Sequence, residues 1–183
     1  MKDRHSIRLK SYDYTAPGWY FVTVCTHQRK LLFGEIEDGK MTLNSMEQVV
    51  YKEWINTPKI RENIELDQFV IMPNHLHGII VLDYTGRGTK RRAPTEEKRY
   101  FRKPIAGSLS TIIGAFKSAI TKQIHRIKPD ISIWQRNFYE HIIRNDKELS
   151  KIRKYIMENP LRWELDRSHP QNMNNKFQEK TYV

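Results

Sequence analysis

Two apolar runs separated only by Pro73-Asn74 constrain the fold of this chain more than any other feature. The first extends from about Ile64 to Met72 and the second from His75 to Leu82. Both are rich in β-branched and aliphatic residues, which predicts two consecutive strands. Alternate side chains of a strand point to one face, so His75 and His77 project together while Leu76 enters the core.

Two imidazoles on one face of a strand make half of a metal site, because neutral imidazole is a common ligand of transition metals. An ordinary structural role is the alternative: one histidine would cap a turn after Pro73 and the other would be a satisfied surface residue. The pair alone does not decide between the two, so the rest of the chain has to be considered.

The remaining pattern alternates strands and helices. We predict a strand over Trp19 to Thr26, a ribbon between Leu31 and Leu43 with a turn at Asp38-Gly39, and a helix from a Ser45/Gln48 capping box to Thr57-Pro58. A second helix begins near Ser108, and its apolar residues recur at helical spacing as a buried stripe: Leu109, Ile112, Ile113, Phe116, Ile120 and Ile124. A strand over Ile133 to Ile143 and a helix over Asp146 to Asn159 follow. This order predicts one α+β domain of the ferredoxin-like or split βαβ type, with a mainly antiparallel sheet and helices on one face. The other face would be free for a ligand.

The charge of the chain indicates a polyanionic partner. Lysine and arginine total 32 against 21 acidic residues, which gives a net charge of +11. Nucleic acid is favoured over membrane because no apolar segment approaches the roughly 20 residues that span a bilayer; an inert basic surface is the alternative. The lone Cys25 cannot form an internal disulfide, and the first residues lack a secretion signal, so we expect a cytoplasmic protein.

Several basic and aromatic residues are candidates for DNA contact. A basic loop at about residues 84–104 includes Arg91 and Arg92, which could clamp a phosphate backbone or simply be solvated. Arg136, Asn137 and Tyr139 could bind unpaired bases, although their segment could equally anchor the last strand in the core. Lys117, on the second helix, could meet phosphates or belong to a solvated face, and a polar tail begins at about residue 164.

The last predicted helix carries a second chemical feature. Leu149, Ile152 and Ile156 form its apolar stripe, while Tyr155 and Asn159, four residues apart, share one edge. Alone, they could be a core-edge aromatic and a C-terminal stop before Pro160. If the helix crosses the sheet near the histidines, however, Asn159 could add an oxygen ligand and Tyr155 could place its hydroxyl beside the metal.

Four ordered blocks of the chain carry a family resemblance. They are Met72 to Gly78, Gly107 to Ser118, Trp134 to His141, and Tyr155 to Pro160. In this order the chain resembles the HUH single-tyrosine transposases of the insertion-sequence type, and most closely the REP-associated tyrosine transposases. The blocks fall within about residues 6 to 165.

The resemblance implies a site and a reaction. His75 and His77 would bind a divalent cation, Mg²⁺ or Mn²⁺, and Asn159 would complete the metal site. Tyr155 would be the nucleophile, and its attack on single-stranded or hairpin DNA would form a 5′-phosphotyrosine link. Relatives often have glutamine, another amide, at the position of Asn159, four residues after the tyrosine. Tyr139 competes with Tyr155 as nucleophile, and a homodimer with Tyr155 acting across it stays open.

Three function classes follow from the sequence. A DNA strand transferase acting in transposition uses all of these features. A non-catalytic module that binds single-stranded nucleic acid would explain the charge and the aromatic residues but leave His75, His77, Tyr155 and Asn159 as coincidence. A metal-dependent hydrolase of small phosphoesters would need neither the charge nor the tyrosine. Covalent capture of a labelled oligonucleotide separates the first class from the others.

Overall fold

The structure is a computed structural model that describes residues 12–83, 105–166, 169–170 and 172. The predicted basic loop at about residues 84–104, with Arg91 and Arg92, lies outside the described residues. The strands and helices of the described residues are β1 (Gly18–Cys25), β2 (Gly34–Glu37), β3 (Lys40–Leu43), α1 (Ser45–Ile60), β4 (Ile64–Met72), β5 (His75–Leu82), α2 (Leu109–Ile124), β6 (Tyr139–Ile143) and α3 (Asp146–Glu158). Two short 3-10 segments, η1 (His27–Arg29) and η2 (Pro160–Leu165), follow β1 and α3.

Four strands form one sheet in the order β4-β5-β1-β6, and every neighbouring pair is antiparallel. Helix α1 connects β1 to β4 with β5 between them, and α2 connects β5 to β6 with β1 between them. These two split βαβ units confirm the predicted α+β, ferredoxin-like fold. Strands β2 and β3 form a separate two-stranded ribbon.

Helices α1 and α2 cover one face of the sheet. Their apolar side chains pack against the even-numbered residues of β1 and β5, since successive strand residues point to opposite faces. The predicted stripe of α2 is confirmed in full, because every member is buried: Leu109, Ile112, Ile113, Phe116, Ile120 and Ile124.

Helix α3 lies on the opposite face. Leu149 and Ile156 pack against Phe21 and Ile79, odd-numbered residues of β1 and β5. The expectation of helices on one face therefore holds for α1 and α2, while α3 covers part of the face expected to be free. The physical reason is the apolar stripe of α3, which has to be buried against a partner surface.

Two predicted boundaries of α1 shift. Asn44, rather than Ser45, caps the helix, because its side chain accepts hydrogen bonds from the backbone N–H groups of Met46 and Glu47. The helix also passes Pro58 and ends at Ile60. Pro58 lies in the last turn, where its missing N–H costs one hydrogen bond, and its carbonyl still accepts the N–H of Arg61.

The strand predicted from Ile133 is shorter than expected. It begins at Tyr139, and before it only an isolated bridge joins Trp134 to Thr26. In the stretch between this bridge and β6, the ammonium group of Lys117 donates to the carbonyls of Gln135 at 2.8 Å and Asn137 at 2.9 Å. Across the described ranges, every helix is too short or too polar to cross a bilayer.

Candidate active site

His75 and His77 lie on the face of the sheet that α3 covers. Their Cα partners on β1 are Cys25 and Thr23. Both histidines are buried, with exposed fractions of 0% and 5%. The alternative of a turn cap and a surface histidine is therefore wrong: the two imidazoles lie side by side, their ring centroids 4.4 Å apart.

Asn74 fixes the orientation of the His75 ring. Its amide nitrogen donates to the carbonyl of Arg29 at 3.1 Å, so its amide oxygen faces Nδ1 of His75 at 2.8 Å. An amide oxygen only accepts hydrogen bonds, which places the imidazole proton on Nδ1. The lone pair of Nε2 is thus available, and Nε2 is buried without a hydrogen-bond partner among the described residues.

His77 is held between a strand neighbour and α3. Its Nδ1 lies 2.8 Å from the hydroxyl of Thr23, and its Nε2 lies 3.2 Å from the hydroxyl of Tyr155. When Nδ1 carries the proton, it donates to Thr23 and Nε2 accepts from Tyr155. In this tautomer Nε2 of both histidines carries its lone pair on the α3 side of the sheet, and the lone pair of His77 accepts the hydrogen bond from Tyr155.

Both imidazoles are uncharged at neutral pH. Burial lowers the pKa of His75 to about 3, and the positive charge of Arg29 acts in the same direction. Burial also lowers the pKa of His77 well below its usual value, with further lowering by His75 and Arg29 and an opposing effect of Asp166. A neutral imidazole is the form that binds metal ions.

Helix α3 brings Tyr155 and Asn159 to this site, as the sequence predicts. The Tyr155 side chain is 44% exposed, whereas Asn159 is 3% exposed. The amide oxygen of Asn159 is buried and has no hydrogen-bond partner within the described part of the chain. Tyr155 and Asn159 line one cavity, and Tyr155 lies beside His77 of its own chain.

The oxygen and nitrogen atoms of this site fit as ligands of a bound divalent cation. Nε2 of His75 and Oδ1 of Asn159 are buried acceptors without a donor, a costly arrangement that a cation would relieve. Asp166, which sequence reasoning missed, adds a carboxylate: ligand atoms of His75, His77 and Asp166 all lie within 4.8 Å of one another. Nothing in its spacing signals this position beside the histidines, because it follows η2 in a segment expected to be a polar tail.

A cavity of about 690 Å³ opens beside these groups. Arg29 and Arg162 contribute positive charge to its lining, and neither was singled out from the sequence. The backbone of Arg29 is left-handed, with φ of 53°, a conformation that non-glycine residues adopt rarely and often at functional sites. The complete lining is Thr23, Cys25, Arg29, Gln135, Asn137, Phe138, Tyr139, Tyr155, Asn159, Arg162, Leu165 and Asp166.

Only some of the other predicted DNA contacts line this cavity. Asn137 and Tyr139 line the cavity, and Tyr139 is 50% exposed. Arg136 is exposed but does not line the cavity. Lys117 is half-buried and holds the carbonyls that precede β6.

The two candidate nucleophiles have different neighbours. Tyr155 lies within hydrogen-bond distance of His77, as described above. His141, which shares a strand face with Tyr139, bonds instead to the carboxylate of Glu148 at 2.6 Å. The geometry therefore links Tyr155, rather than Tyr139, to the buried histidine pair.

Comparison with known proteins identifies the fold. A REP-associated tyrosine transposase, solved bound to a REP hairpin, superposes with a TM-score of 0.51 and 23% identity over 86% of this chain and 74% of that one. The chain thus has a tyrosine-transposase fold. It is also 39% identical over 165 residues to an uncharacterized protein of Haemophilus influenzae, covering 89% of this chain and 91% of that protein, and it belongs to the same family. No family model matches the chain.

Proposed function

We propose that this protein cleaves and rejoins single-stranded DNA next to a hairpin, with Tyr155 as the nucleophile, as a strand transferase in DNA transposition. The observation that carries the proposal is the position of the Tyr155 hydroxyl, 3.2 Å from Nε2 of a buried histidine in a site with orphaned ligand atoms. Tyr155 can also be reached by a substrate, because the residue is 44% exposed and lines a cavity.

The reaction is a phosphoryl transfer between two oxygens. The Tyr155 oxygen forms a bond to the scissile phosphorus as its proton leaves, and the bond from phosphorus to the 3′-oxygen breaks. The 3′-oxygen gains a proton, so the products are a 5′-phosphotyrosine and a free 3′-hydroxyl. Rejoining is the reverse attack by a 3′-hydroxyl, and because the bond energy is conserved, no nucleotide cofactor is needed.

His75, His77 and Asn159 would hold the divalent cation expected from the resemblance, Mg²⁺ or Mn²⁺. When bound, it would supply Lewis-acid polarisation of the scissile phosphate. Mg²⁺ suits the phosphate oxygens and Mn²⁺ also suits imidazole, so both should support the reaction. The chain's own residues orient the site: Asn74 and Thr23 fix the two rings, and α3 positions the tyrosine.

The cavity supports a DNA substrate rather than a small phosphoester. Arg29 and Arg162 would attract phosphates, while Asn137 and Tyr139 would hydrogen-bond to or stack on unpaired bases. The net charge of +11 adds long-range attraction. The REP hairpin bound by the transposase of similar fold supports hairpin-flanked DNA as the class of substrate. Arg91, Arg92, Arg136 and Lys117 are proposed as further contacts on the sequence alone.

Covalent capture tests this proposal. The protein is mixed with Mg²⁺ or Mn²⁺ and a hairpin-flanked oligonucleotide labelled on the 3′ side of the expected break, then denatured and separated by size. The unmodified protein should carry the label. Tyr155→Phe should bind the oligonucleotide and form no adduct, because phenylalanine keeps the ring but lacks the attacking oxygen.

Tyr139→Phe is the matched control, since it removes a hydroxyl from the same cavity and should retain adduct formation. An adduct that persists in Tyr155→Phe and vanishes in Tyr139→Phe would overturn the nucleophile assignment. The absence of any adduct across a set of hairpin sequences, with binding intact, would favour the binding-only module.

A further inference from the structure

We propose that Asp166 is a metal ligand, so that the cation site consists of two imidazoles and a carboxylate together with the Asn159 amide. This inference rests on the metal site of the proposed function and extends it to a residue outside α3. The site would then take a divalent cation such as Mn²⁺ or Mg²⁺ in a charged rather than a neutral set of ligands.

Geometry is the first argument. Ligand atoms of Asp166, His75 and His77 lie within 4.8 Å of one another, a spacing that one cation can bridge with small side-chain adjustments. Two of the neighbouring acceptors, Nε2 of His75 and Oδ1 of Asn159, are buried without a hydrogen-bond partner among the described residues. The carboxylate therefore lies close to a buried acceptor that lacks a hydrogen-bond donor, Nε2 of His75.

Local structure holds Asp166 in this place. Its backbone N–H donates to the carbonyl of Trp163 at 3.0 Å, which closes η2, and its own carbonyl accepts the N–H of His169 at 3.0 Å. Trp163 is buried, and its ring centroid lies 6.2 Å from that of His75. The packing of Trp163 beside His75 thus fixes the backbone of the turn that carries Asp166.

Charge is the second argument. Two neutral imidazoles and an amide contribute no negative charge, and Arg29 lines the same cavity with a positive one. Such a set would oppose the entry of a divalent cation. A carboxylate offsets Arg29 and provides an anionic oxygen, which Mg²⁺ and Mn²⁺ favour. Two histidines and one carboxylate also leave coordination positions open for phosphate oxygens.

Direct measurement of Mn²⁺ binding tests the role of Asp166 without any reaction. The full chain is titrated with Mn²⁺ in the absence of DNA, and free Mn²⁺ is followed by electron paramagnetic resonance. Asp166→Asn should raise the Kd for Mn²⁺ roughly 10–100-fold, because loss of a direct ligand costs at least as much as loss of an outer-shell partner. Glu164→Gln, an exposed position two residues away, removes the same charge and should change the Kd less than about twofold.

The histidine variant separates this inference from the proposed function. His77→Ala should also weaken Mn²⁺ binding strongly. If His77→Ala loses binding while Asp166→Asn binds as tightly as the unmodified protein, the carboxylate assignment is overturned and the histidine site stands. If neither variant changes the Kd, both are overturned. Far-ultraviolet circular dichroism of each variant verifies that it is folded, and Asp166→Asn is close to isosteric.

Discussion

The two faces of the sheet differ in how much of the protein each one buries. Among the described residues, the face under α1 and α2 contains nineteen buried apolar side chains in one cluster, whereas the α3 face contains five. The histidines, Tyr155 and the cavity lie on the α3 face, which has the smaller apolar cluster. The comparison indicates that α1 and α2 bury most of the apolar core, while α3 adds a smaller apolar cluster and carries Tyr155.

Strand β5 serves both faces at once. Leu76 and Ile80 enter the large core, while His75, His77 and Ile79 point to α3. Gly78 belongs to the large-core face, where an added Cβ would collide with the Trp54 ring. Because neighbouring residues in one rigid strand alternate between the two tasks, the ligand atoms are held by the core on the opposite side.

The largest expected effect concerns stability and tests the division of tasks directly. Ile80→Ala removes a fully buried side chain from the large core and should lower the free energy of unfolding by about 2–5 kcal/mol. Ile152→Ala, the same change at a partly buried position on α3, should cost about 1 kcal/mol. Urea unfolding of both variants gives the two values. Equal losses would remove the distinction between the faces.

Arg29→Ala should affect the chemistry with little change in stability. The guanidinium lines the cavity, and the backbone carbonyl that Asn74 holds is unaffected by truncating the side chain. If Arg29 binds the scissile phosphate, its loss should lower the cleavage rate about 100-fold or more, as for other groups that stabilise developing charge. Single-turnover cleavage measures this. A rate within a few fold of the unmodified protein would exclude Arg29 from the reaction.

The smallest effect concerns the attachment of α3. Arg153 binds Asp67 through two hydrogen bonds, of 2.8 and 2.5 Å, beside a register irregularity in β4. The pair is partly exposed, so Asp67→Asn should lower Tm by a few degrees at most. Misplacement of Tyr155 should still reduce cleavage several-fold.

This last effect should depend on pH in a defined direction. The hydrogen bond from Arg153 lowers the pKa of Asp67 below its ordinary value of 3.8. A depressed pKa stabilises the folded state above that ordinary value, and the contribution is lost as the pH falls through the lower, folded value. The difference in Tm between the unmodified protein and Asp67→Asn should therefore be constant from pH 7 to about pH 5 and shrink below pH 4. A difference that grows in acid would contradict the assignment.

The sequence predicts the elements and buried residues of the large-core face better than those of the α3 face. The bounds of β4 and β5 and the stripe of α2 follow from apolar patterns that local packing preserves. The start of β6 does not, since the preceding residues share the apolar and aromatic composition of a strand but make only an isolated bridge to Thr26, the residue after β1, with Lys117 bound to two of their carbonyls. Tyr155 and Asn159 could be paired from helical spacing, but Asp166 could not, since its approach depends on how η2 packs Trp163 beside His75.

Hydrogen bonds of the Asn74 side chain with Arg29 and with His75 have a consequence for ligand affinity. They join the left-handed turn at Arg29 to the His75 ring, so forming the β4-β5 hairpin also selects the tautomer and the ring angle. The rotational entropy of that imidazole is lost when the chain folds. A ligand arriving at Nε2 therefore meets a preorganised donor and loses no affinity to ordering it.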